Sequence, residues 1–295
     1  MPLIVFSHAN SYPAGTYGVL FRHLRAQGFD VAAVERVGHD PASPVTNTWP
    51  HRVRQLADFA EHAVQGHPGP VYYVGHSLGG FLSLMTACRH PRPAGHAIDG
   101  VLLLDSPLLS GWRAALVQMA KTTGTVKSVG PGAISRRRRH RWESLEQATA
   151  HFSAKPMFAA WDPPVLADYL AHGTVDVAEG GRGLAFEPAV ETAIYNALPH
   201  NLPGLLRRHP PPCPVAFIGG TRSAELRQVG LALTRRVTDG RITMLEGSHL
   251  FPMEKPVDTA AAIGAALQRL APAADRRADQ ESGPAPTSQP RAAGS

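Results

Sequence analysis

The chain has 295 residues, enough for one large domain or two modest ones with a substantial core. Hydrophobic residues make up 43% of it and charged residues 18%, which is typical of a globular protein and excludes disordered and fibrous classes. The formal net charge is +6, and five of these positive charges belong to the arginines in the run from Arg136 to Arg141. The basic character is therefore a local feature of the chain.

Two cysteines, Cys88 and Cys213, are too few for a disulfide scaffold and indicate a reducing compartment. No apolar stretch approaches the roughly 18 residues that a membrane span needs. The N-terminus also lacks a basic segment followed by an apolar one, the pattern of a secretory signal. We therefore expect a cytoplasmic protein without a membrane span.

Short β-rich segments alternate with longer helical patterns along the chain. The predicted strands are Leu3–Ser7, Asp30–Val34, Val71–Gly75, Val101–Leu104, Pro214–Ile218 and Arg241–Leu245. The predicted helices are Tyr17–Gln27, Pro50–Gln65, Leu78–Arg89, Ser223–Val237 and Val257–Leu270. Several strands are nearly continuous apolar runs (LIVF, VYYV, VLLL, VAFI), as in a parallel sheet covered on both faces. The alternation predicts an α/β fold with right-handed crossovers.

One long insertion interrupts this alternation between the fourth and fifth predicted strands. Residues 110–209 contain helical patterns at Leu145–Phe152 and Pro164–His172 but no strong strand. Because so long a coil is implausible inside a domain, we predict an inserted helical cap on a core formed by residues 1–109 and 210–271. Residues 272–295 are rich in Pro, Ala, Ser, Gln and charge and are expected to be a disordered tail.

A serine follows the third predicted strand in a pattern that fits a nucleophile. Gly75-His76-Ser77-Leu78-Gly79 has the form G-x-S-x-G, between the strand VYYV and the helical pattern FLSLMTACRH. Small residues two positions before and after the serine permit the sharp strand-to-helix turn that exposes its hydroxyl. The alternative is an ordinary glycine-rich turn in which Ser77 caps the helix.

The chain has 15 histidines, so a general base has to be chosen by its place relative to the predicted strands and helices. His249 lies in the loop between the last predicted strand and the last helix, at the edge where open α/β sheets gather functional residues. An imidazole there could accept the proton of Ser77 and return it to a leaving group. His8 follows the first strand, but a histidine late in the chain fits the residue order expected for this architecture better.

The loop after the first strand, Ser7-His8-Ala9-Asn10, is a candidate for an oxyanion hole. A tetrahedral oxyanion needs backbone N–H donors that are already in position. We predict the N–H of Leu78, directly after the nucleophile, as one donor and that of Asn10 as the other. Ala9 is small enough to permit a close backbone path.

Three motifs resemble those of the α/β-hydrolase superfamily: SHAN after the first strand, GHSLGG at the turn and GSHLFPMEKP near the end. The resemblance covers roughly residues 2–271 and implies a serine hydrolase of esterase-like type with a helical cap. His8-Ala9 stands where this superfamily usually has His-Gly. The first strand corresponds to the superfamily's third, so the two N-terminal antiparallel strands are expected to be missing.

The acid of the expected Ser-His-Asp triad departs from the usual pattern. In most relatives it follows the strand after the cap, where this chain has Arg222 or Ser223. Asp105, after the strand VLLL, is the favoured acid, because some members of the superfamily place theirs there. Glu225 is the alternative, although an acidic residue in the first turn of a helix needs no catalytic explanation. A dyad without a working acid is the third possibility.

The arginine run is expected to be a solvated surface of the cap, or an entrance that favours anionic substrates. Nucleic-acid binding is disfavoured, because no motif for it accompanies the run. No Cys/His cluster has zinc spacing, and neither G-x-G-x-x-G nor a P-loop motif is present, so we infer no metal and no cofactor. Four cap aromatics are expected either to form a small core or to line an acyl pocket: Trp112, Phe152, Trp161 and Tyr195.

These patterns predict a cofactor-independent serine hydrolase that cleaves a small carboxylic ester through an acyl-enzyme. Amide, thioester or C–C bond cleavage would use the same residues. The alternative from another class is a non-catalytic member of the fold that binds a small ligand in the same cleft. Nothing in the sequence indicates an oligomeric state.

Overall fold

The computed structural model describes residues 1–109 and 135–271, and their centre is a parallel sheet. The strands, in chain order, are β1 (Leu3–Ser7), β2 (Asp30–Ala33), β3 (Val71–His76), β4 (Gly100–Leu104), β5 (Arg141–Trp142), β6 (Thr174–Asp176), β7 (Arg182–Leu184), β8 (Val215–Gly220) and β9 (Ile242–Leu245). Six of them form the central sheet in the order β2-β1-β3-β4-β8-β9, with every neighbouring pair parallel. This is the α/β-hydrolase type of fold.

Helices cover both faces of this sheet. Those that lie wholly within the described residues are α1 (Gly18–Ala26), α2 (Pro50–Val64), α3 (Leu78–Arg89), α4 (Leu145–Ser153), α5 (Pro156–Ala159), α6 (Pro163–Gly173), α7 (Pro188–Asn196), α8 (Leu202–Arg208), α9 (Ala224–Val229), α10 (Ala232–Val237), α11 (Phe251–Glu254) and α12 (Pro256–Leu270). Within the described ranges, no helix has the length and apolarity that crossing a membrane requires.

Alternate residues of each central strand enter two separate cores. In β1, Ile4 and Phe6 pack with α1 and α12, whereas Leu3 and Val5 pack on the opposite face with α2 and α3. This alternation follows from the two-residue period of a strand. The apolar runs of the sequence are therefore continuous because both faces of the strand are buried.

All six strands of the central sheet were predicted, to within two residues at each end. The predicted helix Ser223–Val237 is wrong in one respect, because it is divided into α9 and α10. Gly230 lies between the two with φ of +75°, a backbone conformation that ends the first helix. The apolar pattern continues across this break, so it gave no signal of the division.

Residues 135–209, here called the covering segment, lie over the carboxyl ends of the central strands. Two hydrogen bonds that tie it down run from the Asp162 amide to the Met253 carbonyl (3.0 Å) and from the Trp49 indole to the Ile194 carbonyl (3.1 Å). The segment also contains an antiparallel sheet in the order β5-β7-β6, where the sequence suggested no strong strand. These strands have only two or three residues each, too few for a hydrophobic period to show.

The rest of the predicted cap, residues 110–134, and the predicted tail, residues 272–295, lie outside the described residues. The boundaries of the cap and of the tail therefore stay predictions. The described part of the insertion does contain the two predicted helices, as α4 and α6.

Helix α3 passes very close to the end of β1. A Cβ on Gly79 would collide with the carbonyl oxygen of Ser7 and lie 2.8 Å from that of His8. Both obstacles are backbone atoms, so neither can move aside as the end of a flexible side chain would. Any side chain at residue 79 would push the helix away from the sheet.

We therefore expect Gly79→Ala to lower the free energy of unfolding by about 1–3 kcal/mol, the usual cost of forcing extra atoms into a packed interior. Gly204→Ala is the matched control, because a Cβ there meets only the end of the Arg207 side chain at 3.8 Å. Replacing that helical glycine should stabilise the protein by up to about 1 kcal/mol. Denaturant unfolding of both variants measures the difference, and equal effects would contradict this view of the packing.

Candidate active site

Ser77 occupies a strained turn between β3 and α3. Its φ of +54° and ψ of −116° are rare for a residue with a side chain. Gly75 makes the turn possible, because a Cβ there would collide with the carbonyl group of Gly79. Ser77 is the N-cap residue of α3, yet its side chain accepts no capping hydrogen bond. The Ser77 hydroxyl therefore does not cap the helix, contrary to the alternative interpretation of the motif.

The hydroxyl of Ser77 faces His249, and His249 in turn faces Asp105. His249 Nε2 lies 2.9 Å from Ser77 Oγ, and His249 Nδ1 lies 2.6 Å from Asp105 Oδ2. A carboxylate only accepts hydrogen bonds, so Nδ1 carries the ring proton and donates it to Asp105. Nε2 is then free of a proton and accepts the hydrogen bond of the Ser77 hydroxyl.

Asp105 is completely buried, and both of its oxygens are hydrogen-bonded. Oδ1 accepts from the Gly220 amide at 2.8 Å, and Oδ2 accepts from the Ser223 hydroxyl at 2.6 Å as well as from His249. These donors satisfy a carboxylate that would otherwise be costly to bury. Ser223, which stands near the position where relatives usually have the acid, therefore donates to a carboxylate that follows β4 instead of β8.

Glu225, the alternative acid, lies farther from the imidazole. Its Oε2 is 3.8 Å from His249 Nδ1, and its side chain is half exposed. Together with Asp105 and His249 it forms the grouping of metal-ligand side chains found in the described part of the chain. Because Asp105 and His249 are hydrogen-bonded to each other, this grouping by itself gives no reason to infer a metal.

The loop that carries His249 is held by the residues around it. The Glu254 carboxylate accepts hydrogen bonds from the amide of Ser248, at 3.0 Å, and from its hydroxyl. The Ser248 hydroxyl also accepts from the Leu250 amide at 3.0 Å. These bonds fix the backbone on both sides of His249. They give a structural purpose to the serine and the glutamate of the GSHLFPMEKP motif.

The backbone N–H groups of the two predicted oxyanion donors, Leu78 and Asn10, are free to bind a ligand as far as the described residues are concerned. Leu78 is the first residue of α3, so its N–H has no acceptor within the helix. Neither this N–H nor that of Asn10 donates a hydrogen bond to another described residue. The neighbouring Ala9 amide is occupied, because it donates to the Tyr17 hydroxyl at 3.1 Å.

His8 has a structural role, in line with its rejection as the base. Its Nε2 accepts a hydrogen bond from the Val37 amide (2.8 Å), and its Nδ1 donates to the Ala9 carbonyl (2.7 Å). Burial lowers the pKa of His8 to about 4, so the ring is neutral at pH 7. His8 thereby holds the loop that carries Asn10.

A buried relay, which the sequence did not reveal, joins this loop to the backbone of His249. The Tyr17 hydroxyl accepts from the Ala9 amide and donates to His76 Nδ1 at 2.7 Å. His76 Nε2 then donates to the His249 carbonyl at 2.9 Å. Burial lowers the pKa of His76 to about 3, which keeps this ring neutral. The position of His76 inside the G-x-S-x-G motif was a possible signal for it, whereas Tyr17 had none.

The cap aromatics divide between the two predicted roles. Phe152 and Trp161 are buried in an aromatic core of the covering segment, and Tyr195 lines a cavity. Trp112 lies outside the described residues. The arginine run lies on the covering segment, where Arg138 forms an ion pair of 3.1 Å with Glu191.

A serine on a strained strand-to-helix turn, hydrogen-bonded to a histidine at the carboxyl edge of a parallel sheet, is characteristic of α/β hydrolases. The chain belongs to the alpha/beta hydrolase family, whose family model matches residues 4–262.

Curated relatives match only part of the chain. It is 27% identical over 146 residues to a monoglyceride lipase homolog of monkeypox virus, covering 45% of this chain and 51% of that protein. It is 32% identical over 111 residues to the human monoglyceride lipase, covering 36% and 35%. The chain thus spans about half of the length of the first relative and about a third of the second.

Likeness to solved structures extends much further along the chain. The structure of an E-2-(acetamidomethylene)succinate hydrolase matches with a TM-score of 0.66 at 19% identity, covering 90% of each chain. At this identity the likeness shows the fold alone. It agrees with the order of strands and helices described above.

The buried neutral histidines make stability depend on pH. Below about pH 6.5 the unfolded chain takes up a proton at each of them, whereas the folded chain does not until the pH reaches about 4 at His8 and about 3 at His76. The stabilisation is therefore complete above about pH 6.5. As the pH falls below that value, it declines by about 1.4 kcal/mol per pH unit for each histidine.

We expect His76→Gln to reduce this slope by about 1.4 kcal/mol per pH unit below about pH 6.5, because glutamine does not titrate there. Denaturant unfolding at a series of pH values measures the slope. His51→Gln, at an exposed position, is the control and should keep the wild-type slope. Parallel behaviour of the two variants would show that His76 is not held neutral by the fold.

Proposed function

We propose that this protein is a serine hydrolase in which Ser77 is the nucleophile, His249 the general base and Asp105 the acid. The observation that carries the proposal is the continuous chain of hydrogen bonds from Ser77 Oγ through the His249 ring to Asp105, at 2.9 and 2.6 Å. The direction of each bond already matches the proton transfer that the reaction needs.

In the first step the Ser77 oxygen attacks the acyl carbonyl while its proton passes to His249 Nε2. The imidazolium formed there is stabilised by the buried Asp105 carboxylate. The carbonyl oxygen becomes an oxyanion, for which the Leu78 and Asn10 N–H groups are the proposed donors. Such preorganised donors contribute about 3–4 kcal/mol each in comparable sites.

His249 then gives its proton to the departing alcohol, and the acyl group stays on Ser77. A water molecule replaces the alcohol, loses a proton to the same imidazole and attacks the acyl-enzyme. The second tetrahedral intermediate collapses to the free acid and restores the Ser77 hydroxyl. The positions of Ser77, His249 and Asp105 are thus used twice in each cycle.

A small carboxylic ester is the proposed substrate class. Similarity to monoglyceride lipases supports ester cleavage, although it covers less than half of this chain. Amide, thioester and C–C bond cleavage would require the same nucleophile and base. The covering segment, over the carboxyl ends of the strands, is the proposed cap that shapes the substrate cleft.

A fluorophosphonate probe separates this proposal from a non-catalytic ligand-binding protein. We expect covalent labelling of the folded wild type at Ser77, because the His249 base makes its oxygen nucleophilic. Ser77→Ala should be unlabelled, and mass spectrometry of the tryptic peptides locates the adduct. If the wild-type protein is natively folded and stays unlabelled, the hydrolase proposal is wrong.

Asp105→Asn should lower kcat for a para-nitrophenyl ester by about 10³–10⁴-fold, because the amide stabilises the wrong tautomer of His249. Glu225→Gln, the control at the competing carboxylate, should change kcat by less than about threefold, because Glu225 is half exposed and 3.8 Å from the ring. Thermal unfolding of each variant checks that the fold survives. A large loss in Glu225→Gln with near-normal Asp105→Asn would exchange their roles.

A further inference from the structure

A cavity of about 560 Å³, here called the basic pocket, lies where the covering segment meets the loop after β1. Its walls include Ser11 and Tyr12, the two residues that directly follow Asn10. They also include Glu191, whose backbone carbonyl accepts a hydrogen bond of 3.2 Å from the Asn10 side chain. Consecutive Cα atoms are only about 3.8 Å apart, so the pocket borders the proposed oxyanion donor.

Positive charge exceeds negative charge around this pocket. Its lining includes Arg137, Arg138, Arg139 and Lys155, against the single carboxylate of Glu191. That carboxylate is already shared between Arg138 (3.1 Å) and the Ser135 hydroxyl (2.8 Å). Among the described residues, no carboxylate forms an ion pair with any of the three remaining cations.

The sequence that precedes the arginine run offers no counter-charge. From Ser106 to Trp142 there is no Asp or Glu, while the same stretch contains eight Lys and Arg residues. An excess of this kind on a convex surface is simply solvated. Of this stretch, Arg137, Arg138 and Arg139 line a concave space, where charges of one sign raise the local concentration of an oppositely charged ligand.

Two of the cations are held in position before any ligand arrives. The Arg139 guanidinium donates to the Arg141 carbonyl (3.0 Å) and the Gln147 side chain (2.7 Å), and it lies 5.7 Å from the centre of the Trp142 ring. The Lys155 ammonium lies over the Phe152 ring, 5.5 Å from its centre. Side chains ordered in advance lose less entropy when they bind.

The electrostatics of neighbouring groups agree with an excess of positive charge. Partial burial, and then the charges of nearby Lys155 and arginines, lower the pKa of His151. Partial burial, followed by the charge of Arg138, lowers the pKa of Lys155. The Nε2 atom of His151 is buried and has no hydrogen-bond partner in the described structure. A bound anion would relieve this repulsion.

Apolar side chains complete the lining of the pocket. Tyr12, Met157, Phe158 and Tyr195 present aromatic and thioether surface beside the cations. A ligand that suits both parts has an apolar body and an anionic end. A plain fatty acyl chain would leave the cations without a partner, whereas an inorganic ion would leave the apolar surface uncovered.

We propose that the basic pocket binds a carboxylate or phosphate group of the substrate, so that the preferred substrates are esters that carry such an anion beyond the scissile carbonyl. This proposal rests on the proposed serine hydrolase activity, because the pocket borders its oxyanion donor. Arg137, Arg139 and Lys155 would bind the anion. Glu191 would hold Arg138 in place, and its carboxylate would leave the other three cations to the ligand.

A matched pair of substrates tests the preference directly. The para-nitrophenyl monoester of glutaric acid and para-nitrophenyl valerate differ only in a terminal carboxylate in place of a methyl group. We expect kcat/KM to favour the anionic ester by about tenfold or more, and the preference to shrink in about 1 M NaCl, where screening is strong. A second pair, para-carboxyphenyl and para-acetylphenyl valerate, places the anion on the alcohol side.

Charge removal connects the preference to the pocket. Lys155→Met and Arg137→Gln should each lower the ratio of anionic to neutral kcat/KM by about three- to tenfold, as expected for a partly exposed ion pair. Arg236→Gln, an exposed arginine on α10 outside the pocket, is the control and should leave the ratio unchanged. No preference in either substrate pair, or equal effects of all three variants, would overturn the proposal.

Binding without turnover distinguishes failure of the pocket from failure of the hydrolase. Calorimetry with Ser77→Ala and either glutarate or inorganic phosphate measures the anion site even if no ester is cleaved. If either ligand binds and Lys155→Met weakens that binding, the proposed anion site is supported. The ligand that binds more tightly then identifies the preferred anion. Absence of binding by both ligands contradicts the pocket, whereas absence of fluorophosphonate labelling contradicts only the hydrolase.

Discussion

The close approach of β3 and α3 around Ser77 is the constraint on which the rest of the site depends. Gly75 allows β3 and α3 to meet with backbone in contact, and Gly79 allows α3 to pass the end of β1. The chain turns between β3 and α3 with Ser77 at φ of +54°. That backbone conformation carries the hydroxyl to within 2.9 Å of His249 Nε2. Strain at one residue is held in place by packing over the whole strand and helix.

The proposed acid, Asp105, follows a different strand from the one that usually carries it, yet its carboxylate still lies 2.6 Å from His249 Nδ1. Asp105 follows β4, and its neighbour β8 ends in Gly220, so the two loops meet at the same edge of the sheet. Ser223, in the loop after β8, donates to Asp105 and caps α9 through the Leu226 amide at 3.0 Å. The imidazole therefore meets a carboxylate from β4 that is supported by donors from β8.

Buried neutral groups link the parts of the site that lie far apart in the sequence. The relay of Ala9, Tyr17 and His76 joins the loop after β1 to the carbonyl of His249. The Tyr17 hydroxyl and the His76 ring each donate one hydrogen bond and accept another, so a charged form of His76 would break the chain. Desolvation keeps that ring neutral, and the same burial that assembles the core thereby orders the site.

The covering segment adds positive charge above the central sheet. The arginines of its run have two different environments, which composition alone does not distinguish. All three arginines line the basic pocket, but Arg138 is bound to Glu191 and Tyr169, whereas Arg137 and Arg139 form no ion pair with a carboxylate among the described residues. A local excess of positive charge in the sequence thus becomes the lining of a concave space beside the proposed oxyanion donor.

Local patterns were sufficient for the six central strands and the turn at Ser77, and they indicated His249, whose Nε2 lies 2.9 Å from Ser77 Oγ. Strand burial on two faces and the small residues around Ser77 both leave short-range signals in the sequence, because neighbours along the chain create them. The division of the helix at Gly230 and the two- and three-residue strands of the covering segment left no such signal.

The sequence by itself determined the class of fold and the residues that compete for each role, whereas only the tertiary structure decided between them. Asp105 and Glu225 were separated by burial and by their distances of 2.6 and 3.8 Å from the same nitrogen. Tyr17 and His76 acquired their partners only when three distant segments packed together. Hydrogen bonds of this kind depend on the meeting of strands at one edge of the sheet, and no local sequence pattern records that meeting.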